Sequence, residues 1–393
     1  MERFGFVLTL GALTAVTATA IDICIPAQPD IALELGSDPA AGAALVGFFL
    51  LGYGPGQLFW GPLSDRFGRL AILQISLAGF LVASLVCALT DSFELLILGR
   101  MVEGLFAGGG PVISRAIARD QGGGAATAGL LSTMTVVLGA APLVAPSIGS
   151  GLMLLLDWRS IFWFLCLFAA ALIAASALVL PGSGKPQVRQ TQSLLRYLRD
   201  AVSVLGARDF LVGTAVSASV FLGYAAFLSV GALVAQQRYG VSAAAFGPLF
   251  ALAALAFVLG SILARQALKR IGRESLILAA TLIGSLSGLG LLANAWAEPP
   301  LLLFWTLIGG YVLGFGMVLP VSFAKALEPA GHAAGAASSL MGTLQTLGGA
   351  LGSHLVASEL FDDAFQGLSL IMPAAMFLSF VLALGDRLLR PRR

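Results

Sequence analysis

Three charged side chains stand in segments that otherwise read as lipid-spanning. Asp22 lies within ATAIDICIPAQP (residues 18–29), and Arg100 and Glu103 lie within GRMVEGLFAGGG. Asp22 is the only charged side chain between Phe4 and Pro29. A lone charge near the bilayer centre costs about 2.5–3.5 kcal/mol on insertion scales, so Asp22 needs a partner or a wet cavity. Arg100 suits the role of partner, because a guanidinium keeps its charge and its planar fork can hold one or two carboxylates. Glu103 follows one turn later on the same helix face. With both acids ionised the trio is negative, and one proton neutralises it. Such chemistry couples proton movement to shape: Asp22 or Glu103 takes a proton from outside and the grip on Arg100 loosens. A permanent ion pair that locks two helices together is the competing use of the same residues.

Helices must position these groups. The chain has 393 residues, 58% hydrophobic and 11% charged, against about a quarter charged in ordinary soluble domains. Cutting the sequence at its charges leaves twelve apolar stretches, from 4–29 to 364–385. Each is long enough for a membrane helix, which takes about 20 residues. The short alternating segments of a membrane β-barrel are absent from the sequence, and helices are the other way to satisfy the backbone in lipid. Short cytoplasmic loops collect Lys and Arg. Alternate loops here hold nearly all the basic residues, and the opposite loops hold only Arg159 and Arg238 among acids such as Asp30, Asp91 and Asp363. Both termini are therefore expected in the cytoplasm. Ala18-Thr19-Ala20 resembles a signal-peptidase site, but the preceding segment has a single Arg, and cleavage would spoil a six-plus-six symmetry. Cys24, Cys87 and Cys166 all fall inside apolar spans, which points to packed small residues rather than disulfides.

A polar stretch from Pro181 to Asp209 divides six spans from six. The expected organisation is an N-terminal six-helix bundle (1–181), a cytoplasmic linker (182–208) and a C-terminal six-helix bundle (209–393). Two such halves suggest parallel repeats around a midplane site. The C-terminal half places no Asp, Glu, Lys or Arg deep in a span, so coupling is expected in the first half. Tyr53, Gln57, Tyr224, Phe227 and Gln345 are the candidate cavity lining, and Trp158, Trp163 and Trp296 the candidate interfacial anchors. On the outward-running first span, Asp22 falls about 7 Å beyond the midpoint at 1.5 Å per residue, the depth that Arg100 reaches from the other direction.

The loop after the second span reads GPLSDRFGR, residues 61–69. It resembles the loop signature of the major facilitator superfamily at Gly61, Leu63, Asp65, Arg66, Gly68 and Arg69. The equivalent loop of the second half keeps its basic residues and Gly272 but lacks the acid. More of the chain is similar to the Bcr/CflA-type branch of drug:proton antiporters: IDICIPAQPDIA, GQLFWGPLSDRFGR, GRMVEGLFAGG, ISRAIARD, LLSTMTVVLGAAPLVAPSIG, DWRSIFWFL and GAASSLMGTLQTLGGALG follow in its order. Leu70 and Glu103 depart from that branch, which commonly has a basic residue and Gln there. Gly139, Pro142, Pro146, Gly149 and Gly151 in span 5 resemble the superfamily's exporter motif.

The resemblance implies an all-α protein of twelve membrane helices that acts as a transporter rather than an enzyme. Its expected work is proton-coupled export of small amphiphilic, drug-like compounds across a bacterial inner membrane by alternating access. Export of one dedicated metabolite, such as a nucleoside or amino acid, is the alternative. The expected partners are lipid, a small-molecule substrate and protons, with no nucleic acid and no cofactor, in a monomer. Asp65 is expected to latch onto the helix end near Gly335 when the inner side closes. No Walker loop, H-E-x-x-H motif or nucleophile elbow appears in the sequence.

Overall fold

A computed structural model describes residues 2–121, 125–180 and 194–389. Among these residues every regular element is a helix. The first seven long elements and their short partners are α1 (Glu2–Asp22), α2 (Gln28–Glu34), α3 (Ala44–Phe67), α4 (Arg69–Leu89), α5 (Phe93–Ala107), α6 (Gly109–Asp120), α7 (Ala125–Leu155) and α8 (Arg159–Val179). After the short α9 (Leu194–Ser203) come α10 (Arg208–Tyr239), α11 (Ala243–Ala267), α12 (Arg273–Ala293), α13 (Leu301–Leu327), α14 (Ala334–Val356) and α15 (Ala364–Leu388). Eleven spans among the described residues are long and apolar enough to cross a membrane, with α1–α2 and α5–α6 each forming one. The twelfth long helix, α14, reads GAASSLMGTLQTLGGALGSH; its Gly, Ser, Thr and Gln lower its hydropathy, and it packs against α3 and α10.

The first span breaks where the sequence requires it. Pro26 and Pro29 cannot donate backbone hydrogen bonds. The chain leaves α1 at Asp22, passes through a 3₁₀ turn over Ile25–Ala27 and resumes as α2. Asp22 is thus the last residue of a helix that stops inside the bundle.

The fourth span is positioned by small residues. A Cβ on Gly52 or Gly56 of α3 would overlap the carbonyls of Met101 or Leu105, and one on Gly104 of α5 would overlap that of Phe49. The two helices therefore touch backbone to backbone, as small-residue membrane interfaces do. This contact carries Arg100 and Glu103 inward until neither has any exposed surface.

An antiparallel ladder then fixes α1 against the same span. Thr14 Oγ1 lies 3.1 Å from Ser114 Oγ, Thr17 Oγ1 donates to the Ala107 carbonyl at 3.4 Å, and an Arg100 Nη donates to the Ala20 carbonyl at 3.1 Å. Each step up α1 is a step back along α6 and α5.

Residues 182–193 of the 182–208 linker lie outside the described residues, and α9 falls in the remainder. Tyr197 of α9 donates to Ser339 Oγ of α14 at 2.9 Å and lies beside Gly61 of α3. Burial raises the Tyr197 hydroxyl above the usual tyrosine range.

Candidate functional site

Asp22 opens onto a cavity of about 290 Å³ in the middle of the bundle. The residue is 4% exposed, and among the described residues no side chain or backbone group pairs with its carboxylate. Around it the cavity has two chemically distinct walls. Asp22 and Thr17 of α1, Tyr53 and Gln57 of α3, Arg115 of α6 and Gln345 and Thr346 of α14 form the polar wall. Phe221, Tyr224 and Leu228 of α10 with Phe315, Leu319 and Phe323 of α13 form the other, which is aromatic and aliphatic apart from one hydroxyl. The Tyr224 and Phe315 rings pack at a tilt of 32° with their centres 4.8 Å apart.

Four of the five expected lining residues are where the sequence placed them. The fifth, Phe227, is fully buried away from the cavity, stacked on Phe250 at 5.5 Å and edge-on to Trp305. It lies one turn from Tyr224, its ring 6.4 Å from the Tyr224 ring, but rotated off the Phe221, Tyr224 and Leu228 stripe that lines the cavity. Conversely Arg115, Phe221 and Phe315 line the cavity without having been expected there. Arg115 was legible only as a basic residue of an inner loop, yet α6 continues past it to Asp120.

The expected pairing of Asp22 with Arg100 is replaced by a different one. An Arg100 Nη donates to Glu103 Oε2 at 2.5 Å, Glu103 Oε1 accepts from Ser84 Oγ at 2.5 Å, and Arg100 Nε reaches the Leu45 carbonyl at 3.3 Å. The Phe49 ring covers the guanidinium at 4.5 Å. Glu103, three residues along the same helix, reaches Arg100 with no rearrangement, whereas Asp22 turns toward the cavity. The three charges do share a depth, since Arg100 bonds the carbonyl two residues before Asp22. They form a sealed neutral pair and a separate acid.

The loop motif closes on itself. Arg69 pairs with Asp65 one turn away, with Asp120 Oδ2 at 3.1 Å and with Ser64 Oγ at 2.7 Å. Gly68 makes this possible by turning the chain at φ 98°, a conformation open to glycine. Arg66 lies over the Phe67 ring, and Gly61 faces Val112 and Tyr197. Among the described residues Asp65 does not meet the start of α14, the contact expected when the inner side closes; the Gly335 carbonyl accepts from the Tyr197 hydroxyl at 3.5 Å instead.

The residues of the span 5 motif play separate parts. A Cβ on Gly149 would overlap the Ile23 carbonyl, so Gly149 lets α7 press against the break in the first span. The Pro146 carbonyl and Ser147 meet Gly247 of α11, Pro142 lines the cavity, and Gly139 and Gly151 face open space. Trp163 and Trp296 are exposed as membrane anchors would be, but Trp158 is 1% exposed, packed edge-on to Phe162 beneath Arg159. A buried network in the second half went unread as well: Lys325 of α13 pairs with Asp386 of α15, which also accepts from Arg208 Nε at 2.8 Å.

The sequence profile described as Major Facilitator Superfamily matches residues 10–353. The chain belongs to that superfamily. It is 30% identical to a bicyclomycin resistance protein homolog of Haemophilus influenzae, over 92% of this chain and 91% of that one. It is 29% identical to multidrug resistance protein D of Escherichia coli K12, over 94% and 93%. The crystal structure of the nucleoside transporter NupG superposes with a TM-score of 0.77 at 13% identity, over 98% and 99% of the two chains, a likeness of fold. As a superfamily member the protein is a multi-pass membrane transporter of small molecules, not an enzyme, and its order of motifs agrees with the Bcr/CflA-type resemblance.

In superfamily transporters the cavity must open to one side at a time. Here the end of the bundle that carries Gln28 is closed. Gln28 donates to the Leu228 carbonyl at 3.2 Å, Gln236 donates to the Pro26 carbonyl at 3.0 Å, and Ser150 joins α7 to α11 by donating to the Ala243 carbonyl and accepting from Gly247 N–H. From Asp22 the cavity runs the other way, to Arg115, Phe323 and Ser338, toward the end that carries Asp65.

Proposed function

We propose that the chain is a proton-coupled antiporter that exports small amphiphilic, drug-like compounds across a bacterial inner membrane by alternating access. The observation that carries the reading is Asp22: a buried carboxylate at a helix break, without an ionic partner among the described residues, facing the central cavity. A group so placed is stable charged only when the cavity supplies water or a countercharge, and stable neutral when it holds a proton. Cargo and proton then compete for one site. The names of the Haemophilus and Escherichia relatives support resistance-type cargo.

The basic residues gather at the Asp65 end, which supports a cytoplasmic position for that end and for both termini. The cavity in this arrangement faces inward. Asp22 releases its proton to the cytosol and an amphiphile enters, its ring system on the α10–α13 wall. The halves, 1–181 and 209–393 joined by 182–208, rock about the cavity. On the outer side a proton displaces the cargo. Each charge moved down the potential contributes about 2.3 kcal/mol per 100 mV, so the gradient drives export without a cofactor. Arg100 and Glu103 act on this cycle through the backbone: their pair grips the Ala20 carbonyl and so holds the last turn of α1, which presents Asp22. Asp65 serves as the inner latch: when the inner side closes it leaves Arg69 and meets the positive helix end near Gly335. A single chain encloses the whole cavity, which suits a monomer.

The two-walled lining favours amphiphiles over a dedicated polar metabolite, which would need polar partners from α10 and α13 also. Everted vesicles loaded with a fluorescent amphiphilic dye test the reading. Transport that requires the pH gradient is expected. Dye movement indifferent to the gradient, in protein that still binds the dye, sinks it.

A further inference from the structure

A second charge in the cavity is unused by the coupling reading. Arg115 lines the same space as Asp22 and keeps substantial exposure there. Its Nε donates to the Pro111 carbonyl of its own helix at 2.8 Å, and among the described residues its two Nη nitrogens have no acceptor. The cavity thus holds one acid and one base, each without a countercharge among the described residues.

Their positions follow from the α1 ladder. Ser114 stands beside Thr14, so Arg115 starts at the level of residue 14 of α1, and Asp22 is eight residues on. At 1.5 Å per residue the two backbone levels are about 12 Å apart. Side chains in a helix lean toward its N-terminus. Because α1 and α6 are antiparallel, Asp22 leans down toward Arg115, and Arg115, as its bond to Pro111 records, leans up toward Asp22. The charges converge on the cavity from opposite ends, and among the described residues no ion pair joins them. Between them Tyr224 and Phe315 offer an aromatic wall.

We infer that the cavity selects aromatic zwitterions: molecules with an ammonium group for Asp22, a carboxylate or similar anion for Arg115, and a ring system between the two. A simple cation leaves Arg115 facing positive charge without an acceptor, and a simple anion does the same to Asp22. Arg115 always keeps its charge and offers a fork of donors matched to a carboxylate. This inference rests on the cavity being the cargo site of the proposed exporter, but it concerns equilibrium recognition rather than energy coupling.

The test uses the full chain, purified in detergent, and a naphthalene probe followed by fluorescence anisotropy. The probe 6-(aminomethyl)-2-naphthoate carries both charges, its methyl ester only the ammonium, and its N-acetyl derivative only the carboxylate. The zwitterion is expected to bind at least about tenfold more tightly than either analogue, as one added charge-assisted pair allows. Arg115→Gln should abolish the advantage over the ester, weakening the zwitterion while relieving the cationic ester of the facing positive charge, and Arg115→Lys should keep part of it. Thermal unfolding of each variant separates misfolding from lost recognition. Equal binding of zwitterion and ester, or an equal loss for all three probes in folded Arg115→Gln, overturns the inference. Gradient-driven efflux of a simple cationic dye with no zwitterion preference would sink this inference alone. A preference for zwitterion in protein that does not pump would sink the exporter reading alone.

Discussion

Arg100 donates to the Ala20 carbonyl at 3.1 Å, two residues before Asp22, while its charge is answered by Glu103 on its own helix. One guanidinium therefore holds the end of α1 in place without touching the acid that α1 presents. A neutral buried pair and a lone cavity carboxylate make different demands, and mutagenesis should separate them.

Breaking the pair from one side leaves an uncompensated buried charge. Arg100→Met should destabilise the protein by about 3–5 kcal/mol. The double variant Arg100→Met/Glu103→Leu, which removes both charges, should recover most of that loss. Thermal unfolding in detergent compares the two, and a double variant no better than the single one would show that the pair matters for more than its charge.

Asp22→Asn should behave in the opposite way. Among the described residues no group pairs with the carboxylate, so the melting temperature should stay within a few degrees of wild type. Efflux should lose its dependence on the pH gradient. Unaltered pH dependence in the vesicle assay would remove Asp22 from the coupling step.

The glycines of α7 should divide sharply. Gly149→Ala forces a Cβ into the Ile23 carbonyl and should cost about 1–3 kcal/mol, with reduced transport, because it pushes α7 away from the break in the first span. Gly139→Ala and Gly151→Ala meet open space and should be nearly silent in both measurements.

Tyr197 ties α9 to α14 through its hydroxyl, so Tyr197→Phe should weaken that attachment by about 1 kcal/mol, readable as faster hydrogen exchange in α9. Burial raises the folded hydroxyl above its unfolded value. Its contribution is thus complete below the unfolded tyrosine value of about 10 and is lost as pH rises through the folded one. The Phe variant, having no such proton, should show a shallower alkaline loss of stability.

The membrane helices were legible because lipid imposes one rule on every residue of a span, and twelve apolar stretches follow from it; the break of the first span at Pro26 and Pro29 was not read from the sequence. Position along a helix was legible too, which is why Arg100 and Asp22 were expected at one depth. Rotation about the helix axis was not. Phe227 and Tyr224 are neighbours in sequence on a span apolar all round, so no periodic signal told which faced the cavity. Arg100 had two acids at equal depth, and only packing at Gly52, Gly56 and Gly104 sealed it with Glu103 while Asp22 turned away. Arg115 and Lys325 were read as loop charges because a basic residue near a span end looks the same whether it ends in water, in a cavity or against Asp386.

The separation of the two cavity walls has an evolutionary corollary. Residues that would hold charge belong to α1 and α6, whereas the apolar surface belongs to α10 and α13. Repertoire can drift through changes such as Phe315→Leu or Phe221→Val while the energised step stays intact, and a bacterium under new chemical attack could retune what leaves the cell without rebuilding the motor.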